Sequence, residues 1–479
     1  MSAVAVAITA VYLLVTLAIG WYGYRHTGAT PAEYFLAGGT LGRVVFPLTT
    51  FATLMSAFVF LGSAGFGYIH GVAWFAMIGV EAIAGIPLAL IGLRAWRRTR
   101  AAGYITPTEL LGDTFDSDAV KLTVLAVQFA WAIPYLAVQA MGGGLLFETI
   151  SEGAVPFWAG ALVVTGVTGV YLALGGLRGV AWSDVLQGIV LVTFLCVAFV
   201  YVLPAIDPVG ITERLATSTE LLTPAGQQGF FTPRIWVSFL LMNAMAIVAY
   251  PQMFQRFFAA RDERSFRALM LWWPIMVLVA AVVPVLLGVW GTELVPAVDD
   301  PDAVVPALLQ SYAPAWLVGV IVGGALAAMM STADSLALTL SSLVSRDLYR
   351  DHVEPDASDA AETRVGQLTV AVLLAGGYLL ALPQLGTIVE LAVYFIQGNA
   401  LLLPVFLAAL YWPRATASGA LGAVLVGQGY FLASAFGPAP AFGFMPFVPA
   451  LAAACLALVG GSLLTARGTE SVATGAETG

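Results

Sequence analysis

Four ionisable side chains lie inside apolar stretches of this sequence: Glu81, Asp184, Asp334 and Glu390. In hydrocarbon such groups are expensive enough that each is a candidate functional group. Asp184 and Glu390 fall near the ends of their stretches, where snorkelling or helix capping explains them as well as chemistry does. Glu81 lies deeper and suits a proton site, a solute contact, or a carboxyl kept neutral by burial. Around Asp334 the pattern is richer: residues 318–350 read VGVIVGGALAAMMSTADSLALTLSSLVSRDLYR. Gly319 and Gly323, followed by Gly324, Ala325, Ala327 and Ala328, let another backbone approach closely. At 100° per residue, Ala328, Ser331, Thr332, Ser335 and Ser342 share an arc of about 100°. Hydroxyls and backbone carbonyls are neutral, hard oxygen donors, suited to holding a small monovalent cation loosely; a divalent ion would call for more carboxylates. The alternative for an isolated Ser-Thr pair is that each bonds back to a carbonyl one turn earlier.

No enzymatic constellation competes. His26 and His352 fall in loops and His70 at the end of an apolar run. Gly62-Ser63-Ala64-Gly65 lacks the G-x-S-x-G spacing of a nucleophile elbow. Without a Walker-type phosphate loop, energy must come from an ion gradient, or transport is passive. Cys196 and Cys455 lie in apolar stretches and read as small buried side chains.

The elements that carry these residues follow from composition. Of 479 residues 60% are apolar and 10% charged, and the mean hydropathy is +0.92. Soluble domains carry about a quarter charged residues, so this is an integral membrane protein; soluble enzymes, nucleic-acid binders and disulfide scaffolds are excluded. Windows long enough to cross the bilayer fall at about 4–24, 45–66, 72–95, 121–147, 155–176, 183–205, 235–256, 268–290, 315–345, 365–383, 386–411, 415–436 and 445–465. Arg25 follows the first window and no basic residue precedes it, so the first span is expected to be retained with the N-terminus outside. Thirteen spans then put 17 basic residues, Arg256 among them, on the inner side and leave only Arg214 and Arg234 outside, as the positive-inside bias requires. The expected architecture is an all-α membrane protein with N-terminus outside and C-terminus inside. Segments 206–234 and 291–314 are long enough for outer lids, the latter with solvated Asp299, Asp300 and Asp302; the small polar tail 467–479 reads as disordered.

Several motifs together resemble the sodium/solute symporter family: YFLAGG at 34–39 leading into ATLMS at 52–56, GGLRGVAWSDVLQ at 175–187, PQMFQRFFAA at 251–260, and AAMMSTADS at 327–335 followed by RDLY at 346–349. The resemblance implies a five-plus-five inverted-repeat core over 31–411 (spans 2–6 and 7–11), preceded by one helix in 1–30 and followed by two in 412–466. The first helix of each repeat is then broken near the midplane, for which Gly62, Gly65 and Pro251 are the expected interruptions. It further implies a sodium site on the carbonyls of Ala52, Met55 and Ala328 and the hydroxyls of Ser331 and Thr332, with Asp184 on the inward exit path. The helix-face argument independently selects Ala328, Ser331 and Thr332. Solute contacts carry over less directly. Leu54 stands where proline transporters of the family have aspartate and sugar transporters asparagine, and Asn243 and Ile247 stand at aromatic positions of the proline transporters. Ser56, Tyr135, Gln139, Asn243, Tyr250 and Gln397 are the other cavity candidates, with helix-helix hydrogen bonds as the alternative role. The segment IPYLAVQ at 133–139 is most similar to the monocarboxylate and pantothenate branch. The resemblance thus implies a prokaryotic plasma-membrane carrier that takes up a small organic anion with sodium, needing no cofactor, nucleic acid or protein partner. A proline-like amino-acid symporter, or a proton-coupled carrier using Glu81 or Asp334, is the alternative.

Overall fold

The computed structural model describes the backbone of residues 2–26, 28 and 30–476; the far end of the tail, 477–479, lies outside the described residues. Among them there is no strand, only an isolated bridge between Leu41 and Ala260. Among the described residues ten helices are long and apolar enough to cross a membrane, or eleven when Pro233–Ala249 and Pro251–Ala259, bent by 44°, are taken as one span. Two of the runs are far longer than one crossing: Phe58–Ala102 has 45 residues and Phe157–Ile206 has 50. At about 1.5 Å per residue each exceeds twice the ~30 Å hydrocarbon thickness. Each contains a glycine that leaves the helical region, Gly71 at φ 80°, ψ −155° and Gly176 at φ 54°, ψ −158°. Divided there, with Val45–Leu54 leading into the first, the two runs have the length for four crossings.

The small-residue stripe at 319–328 does receive another backbone. A Cβ on Gly319 would stand 2.8 Å from the Ala5 Cα of the leading helix Ala3–His26, and Gly20 and Gly23 of that helix meet Tyr171 and Gly179 equally closely. Ala315–Ser342 is thereby enclosed, with the hydroxyl face turned toward Val45–Leu54. The two trailing helices, Ala417–Ala435 and Phe447–Ala476, pack chiefly on each other.

Three expectations need correction. Gly62 and Gly65 do not break the second span: Gly62 is helical at φ −63°, ψ −41°, and a Cβ on Gly65 would meet the Pro301 carbonyl at 3.0 Å. These glycines serve close packing, and the interruption comes earlier, at Met55 and Ser56. Asp302 is not a solvated loop residue; it is 4% exposed, and its Oδ2 accepts the Ile388 amide at 3.0 Å. Cys196 and Cys455 are exposed on the bundle's outer surface rather than buried. Glu390 resolves as a cap. Its Oε2 accepts the Thr387 amide at 3.0 Å while Thr387 Oγ1 accepts the Glu390 amide at 3.2 Å, a reciprocal box that closes the start of helix Ile388–Ala400.

Segments 206–234 and 291–314 both pack against helices of the core. In 206–234, the Leu221 carbonyl accepts the Val72 amide at 2.8 Å, and Phe230 and Phe231 pack around Phe66 and His70.

Two outcomes follow from this packing. A Cβ on Gly288 would stand 2.0 Å from the Ala64 carbonyl oxygen, whereas one on Gly376 meets nothing within 4 Å. Gly288→Ala is expected to cost about 1–3 kcal/mol by overpacking and to lower the melting temperature in detergent, and Gly376→Ala to leave it unchanged or raised. Burial, and then the neighbouring Asp300 charge, push the Asp302 carboxyl up to about 7. Because this value is raised in the folded protein, Asp302 favours the fold below the ordinary aspartate range and that contribution is lost as pH climbs through about 7. Melting temperature measured against pH should therefore fall toward neutrality more steeply in the wild type than in Asp302→Asn; parallel curves would remove the assignment.

Candidate functional site

Helix Val45–Leu54 stops at Met55, which is extended at φ −71°, ψ 119°, and winding resumes at Ala57, first as a wide π-helical stretch over Phe58–Gly62. A break inside a bundle strips carbonyls of their intrahelical donors, and in a membrane protein these must be met by other protein groups or an ion. The hydroxyls of Ala315–Ser342 meet them. Ser331 Oγ lies 2.8 Å from Ala52 O, 3.1 Å from Ala328 O and 3.5 Å from Met55 O. Thr332 Oγ1 lies 2.6 Å from Met55 O and 3.0 Å from Thr53 O. The five sequence-selected oxygens, from Ala52, Met55, Ala328, Ser331 and Thr332, thus come together in one buried spot. Further along the same helix Thr339 and Ser342 do bond back to their own helix, at 2.9 Å to Ser335 O and 2.7 Å to Thr339 O. The helix itself shows both outcomes that the sequence leaves open. Neutral oxygens gathered at one point, with no net charge among them, suit a monovalent cation better than a divalent one.

Below this spot lies a buried network that the sequence does not announce. Arg256, counted among the inner-side loop charges, is instead 1% exposed within helix Pro251–Ala259. Its Nη2 donates to Asp184 Oδ2 at 2.9 Å and to Ser335 Oγ at 2.5 Å, and its Nε to Thr49 Oγ1 at 3.2 Å. Thr49 also donates to Asp184 Oδ2, and Ser335 Oγ lies 2.9 Å from both Thr53 Oγ1 and Asp334 Oδ1. Tyr171 OH donates to Asp334 Oδ2 at 2.5 Å. One guanidinium therefore ties Pro251–Ala259 to Val45–Leu54, Phe157–Ile206 and Ala315–Ser342. Among the described residues Asp184 Oδ1 has no hydrogen-bond partner.

The solute candidates divide into those that meet and those that do not. Tyr135 OH donates to Ser56 Oγ at 3.0 Å, and Gln139 Oε1 accepts the Ala57 amide at 3.0 Å, capping the restarted helix. Tyr250 is the extended residue before Pro251, at φ −60°, ψ 130°, so Pro251 does mark the second break. Phe395, absent from the sequence reading, joins the two tyrosines: its ring centroid lies 4.1 Å from that of Tyr135 in a parallel stack and 4.8 Å from that of Tyr250. Leu54 is buried at the edge of the first break. Asn243 is turned to its own helix, donating to Phe239 O at 3.0 Å, and Gln397 Oε1 accepts the Phe447 amide at 3.4 Å. These last two serve helix contacts in this conformation.

Two broken helices packed against each other, with a pocket of uncharged oxygens between one break and a neighbouring helix, define a secondary transporter driven by an ion. The model of the sodium:solute symporter family matches residues 34–427, and the chain belongs to that family. A sodium/pantothenate symporter of Escherichia coli is 29% identical over 465 residues, covering 94% of each chain. An osmoregulated proline transporter of Bacillus subtilis is 27% identical, covering 95% of this chain and 94% of the relative. Among solved structures, a substrate-bound, outward-open sodium-coupled sialic acid symporter matches with a TM-score of 0.82 at 19% identity, covering 97% of this chain and 98% of that one. The protein is a multi-pass plasma-membrane transporter of the sodium-coupled symport class, not an enzyme.

The Arg256 network makes a prediction independent of transport. Removing one partner of a buried ion pair strands the other charge. Arg256→Gln and Asp184→Asn should each lower the melting temperature, and the double variant should lose less than the two losses combined, by about 1–3 kcal/mol of coupling. Additive losses would remove the pair as a structural unit.

Proposed function

We propose that the protein accumulates a small carboxylate-bearing solute by alternating access, with sodium held by the carbonyls of Ala52, Met55 and Ala328 and the hydroxyls of Ser331 and Thr332. The observation that carries this reading is the convergence of those five oxygens on the Met55–Ser56 break. A cation there takes over the carbonyls that the hydroxyls now satisfy, and the hydroxyls turn their lone pairs inward. The ion thereby stabilises one arrangement of the break against Ala315–Ser342, and solute binding beside it favours the same arrangement. Coupling arises from that difference in ion affinity between the two arrangements.

Ser56 links the two functions, since its backbone belongs to the break while its hydroxyl is held by Tyr135. The solutes named for the relatives, pantothenate and proline, are both small carboxylates, and the amide end of the restarted helix favours an anionic group. Asp184 serves the inward exit: its unpartnered Oδ1 offers an oxygen to a departing ion, and its other oxygen is released when the Arg256 pair opens. We further assign thirteen crossings with the N-terminus outside, which divides Phe58–Ala102 and Phe157–Ile206 at Gly71 and Gly176. The core then spans 31–411, between the leading helix and the two trailing ones. One sodium ion crossing ~100 mV supplies about 2.3 kcal/mol and a tenfold concentration gradient about 1.4 kcal/mol, enough for roughly 500-fold accumulation of an uncharged or zwitterionic solute.

Ser331→Ala combined with Thr332→Ala is expected to raise the sodium concentration for half-maximal uptake in proteoliposomes at least tenfold while the protein still folds. Unchanged sodium dependence would overturn the site.

A further inference from the structure

The back of the first broken helix borders a cleft that the transport reading does not use. It has a volume of about 460 Å³ and lies where Val45–Leu54, Phe157–Ile206 and Glu263–Leu294 meet. Pro47 and Phe51 line it from the first helix, Gly188 and Val192 from the second, and Trp272 and Ile275 from the third. On Val45–Leu54 these residues share the face opposite Thr49 and Thr53, the two threonines that join the Arg256 network. Apart from Arg43 and Thr193 the lining is apolar, and its rim opens outward, with Ile189 52%, Trp272 57% and Ile275 55% exposed. The floor at Gly188 is the half-helix itself: a Cβ there would stand 3.8 Å from Leu48 O and 3.9 Å from the Ala52 Cβ, and Ala52 is the residue whose carbonyl Ser331 holds.

Arg43 stands at the end of the cleft where Val45–Leu54 begins. Its half-exposed guanidinium is 3.9 Å from Asp262, a carboxylate already taken by the Ser265 amide and hydroxyl at 3.0 and 3.1 Å. On Glu263–Leu294 the exposed Arg264 lies about two turns before Trp272 on the same face. An apolar cleft open to hydrocarbon does not stay empty, because its walls would forfeit their dispersion contacts. Basic groups where spans leave the membrane select an anionic headgroup. A zwitterionic lipid fills the cleft without using the arginines, and a free anion does the reverse. An anionic phospholipid does both.

We propose that this cleft binds one anionic phospholipid, with an acyl chain lying between Val45–Leu54 and Glu263–Leu294 and the phosphate beside Arg43 and Arg264. The lipid braces the half-helix from behind, on the side away from the oxygen pocket. Under the topology assigned above it is drawn from the cytoplasmic leaflet.

The test uses the purified full chain in detergent, stripped of lipid, and reads melting temperature and native mass spectra as dioleoyl phosphatidylglycerol or dioleoyl phosphatidylcholine is added. Phosphatidylglycerol is expected to reach half of its stabilising effect at a concentration about fivefold or more below that of phosphatidylcholine, and to be retained as a single adduct. Arg43→Gln combined with Arg264→Gln should erase that preference. Gly188→Leu fills the cleft from its floor, and Ile189→Trp fills it from the exposed rim without overpacking; each should lose the adduct, while Gly188→Ala keeps it. Melting in the absence of lipid reports that the variants fold. The proposal is overturned if the two lipids act alike on the wild type, if the preference survives the arginine replacements, or if the folded cleft-filling variants retain the adduct. Glycerol 3-phosphate acting as well as phosphatidylglycerol would reduce the cleft to an ion site, and a protein dimer in place of the adduct would assign it to a second copy of the chain; either result also overturns it.

Discussion

Unsatisfied peptide groups cannot be left in hydrocarbon, and the organisation of this protein turns on how that constraint is met at Met55 and Ser56. The second span gives up helical bonding there, and its freed carbonyls are taken by two hydroxyls from a helix that is distant in sequence. Ser331 and Thr332 reach Ala52 and Met55 across 276 to 279 residues. Everything that shapes Ala315–Ser342 serves this meeting: the Gly319 stripe brings in the leading helix, and the later hydroxyls bond back to their own helix. The break is held by neutral hydrogen bonds, which the proposed ion would replace.

The second device is ionic. A guanidinium buried between Asp184, Ser335 and Thr49 joins the second broken helix to the first and to Phe157–Ile206. A buried pair of this kind adds little net stability but defines which arrangement is allowed, because breaking it without replacement is costly. The two devices share Ala315–Ser342 as a common wall. Ser335 Oγ lies 2.6 Å from the Ser331 carbonyl and accepts from Arg256, so a continuous chain of hydrogen bonds joins the oxygen pocket to the ion pair below.

Much of this was legible in the sequence because it depends on residue type at helical spacing. The face of Ala328, Ser331 and Thr332 follows from periodicity, Pro251 announces the second break, and the hydropathy windows anticipate the apolar helices. The first break was not legible at its true position. Neither Gly nor Pro stands at Met55 or Ser56, and what opens the helix is a pair of partners far away in the chain, whereas the nearby glycines that looked like breakers are close-packing positions. Arg256 was misread for a related reason. By charge counting it is one more inner-side arginine, and only its partners on other helices remove it from that set. Phe395 is one aromatic among apolar neighbours, and its role appears once Tyr135 and Tyr250 stand on either side of it.

The proposed hold of sodium on the break is tested most directly by hydrogen exchange of the backbone amides from Thr53 to Phe58, measured in sodium and in potassium at equal ionic strength. Protection that increases in sodium alone, and is lost when Ser331 and Thr332 are replaced by alanine, is the result this account predicts. Equal exchange in the two salts would contradict it.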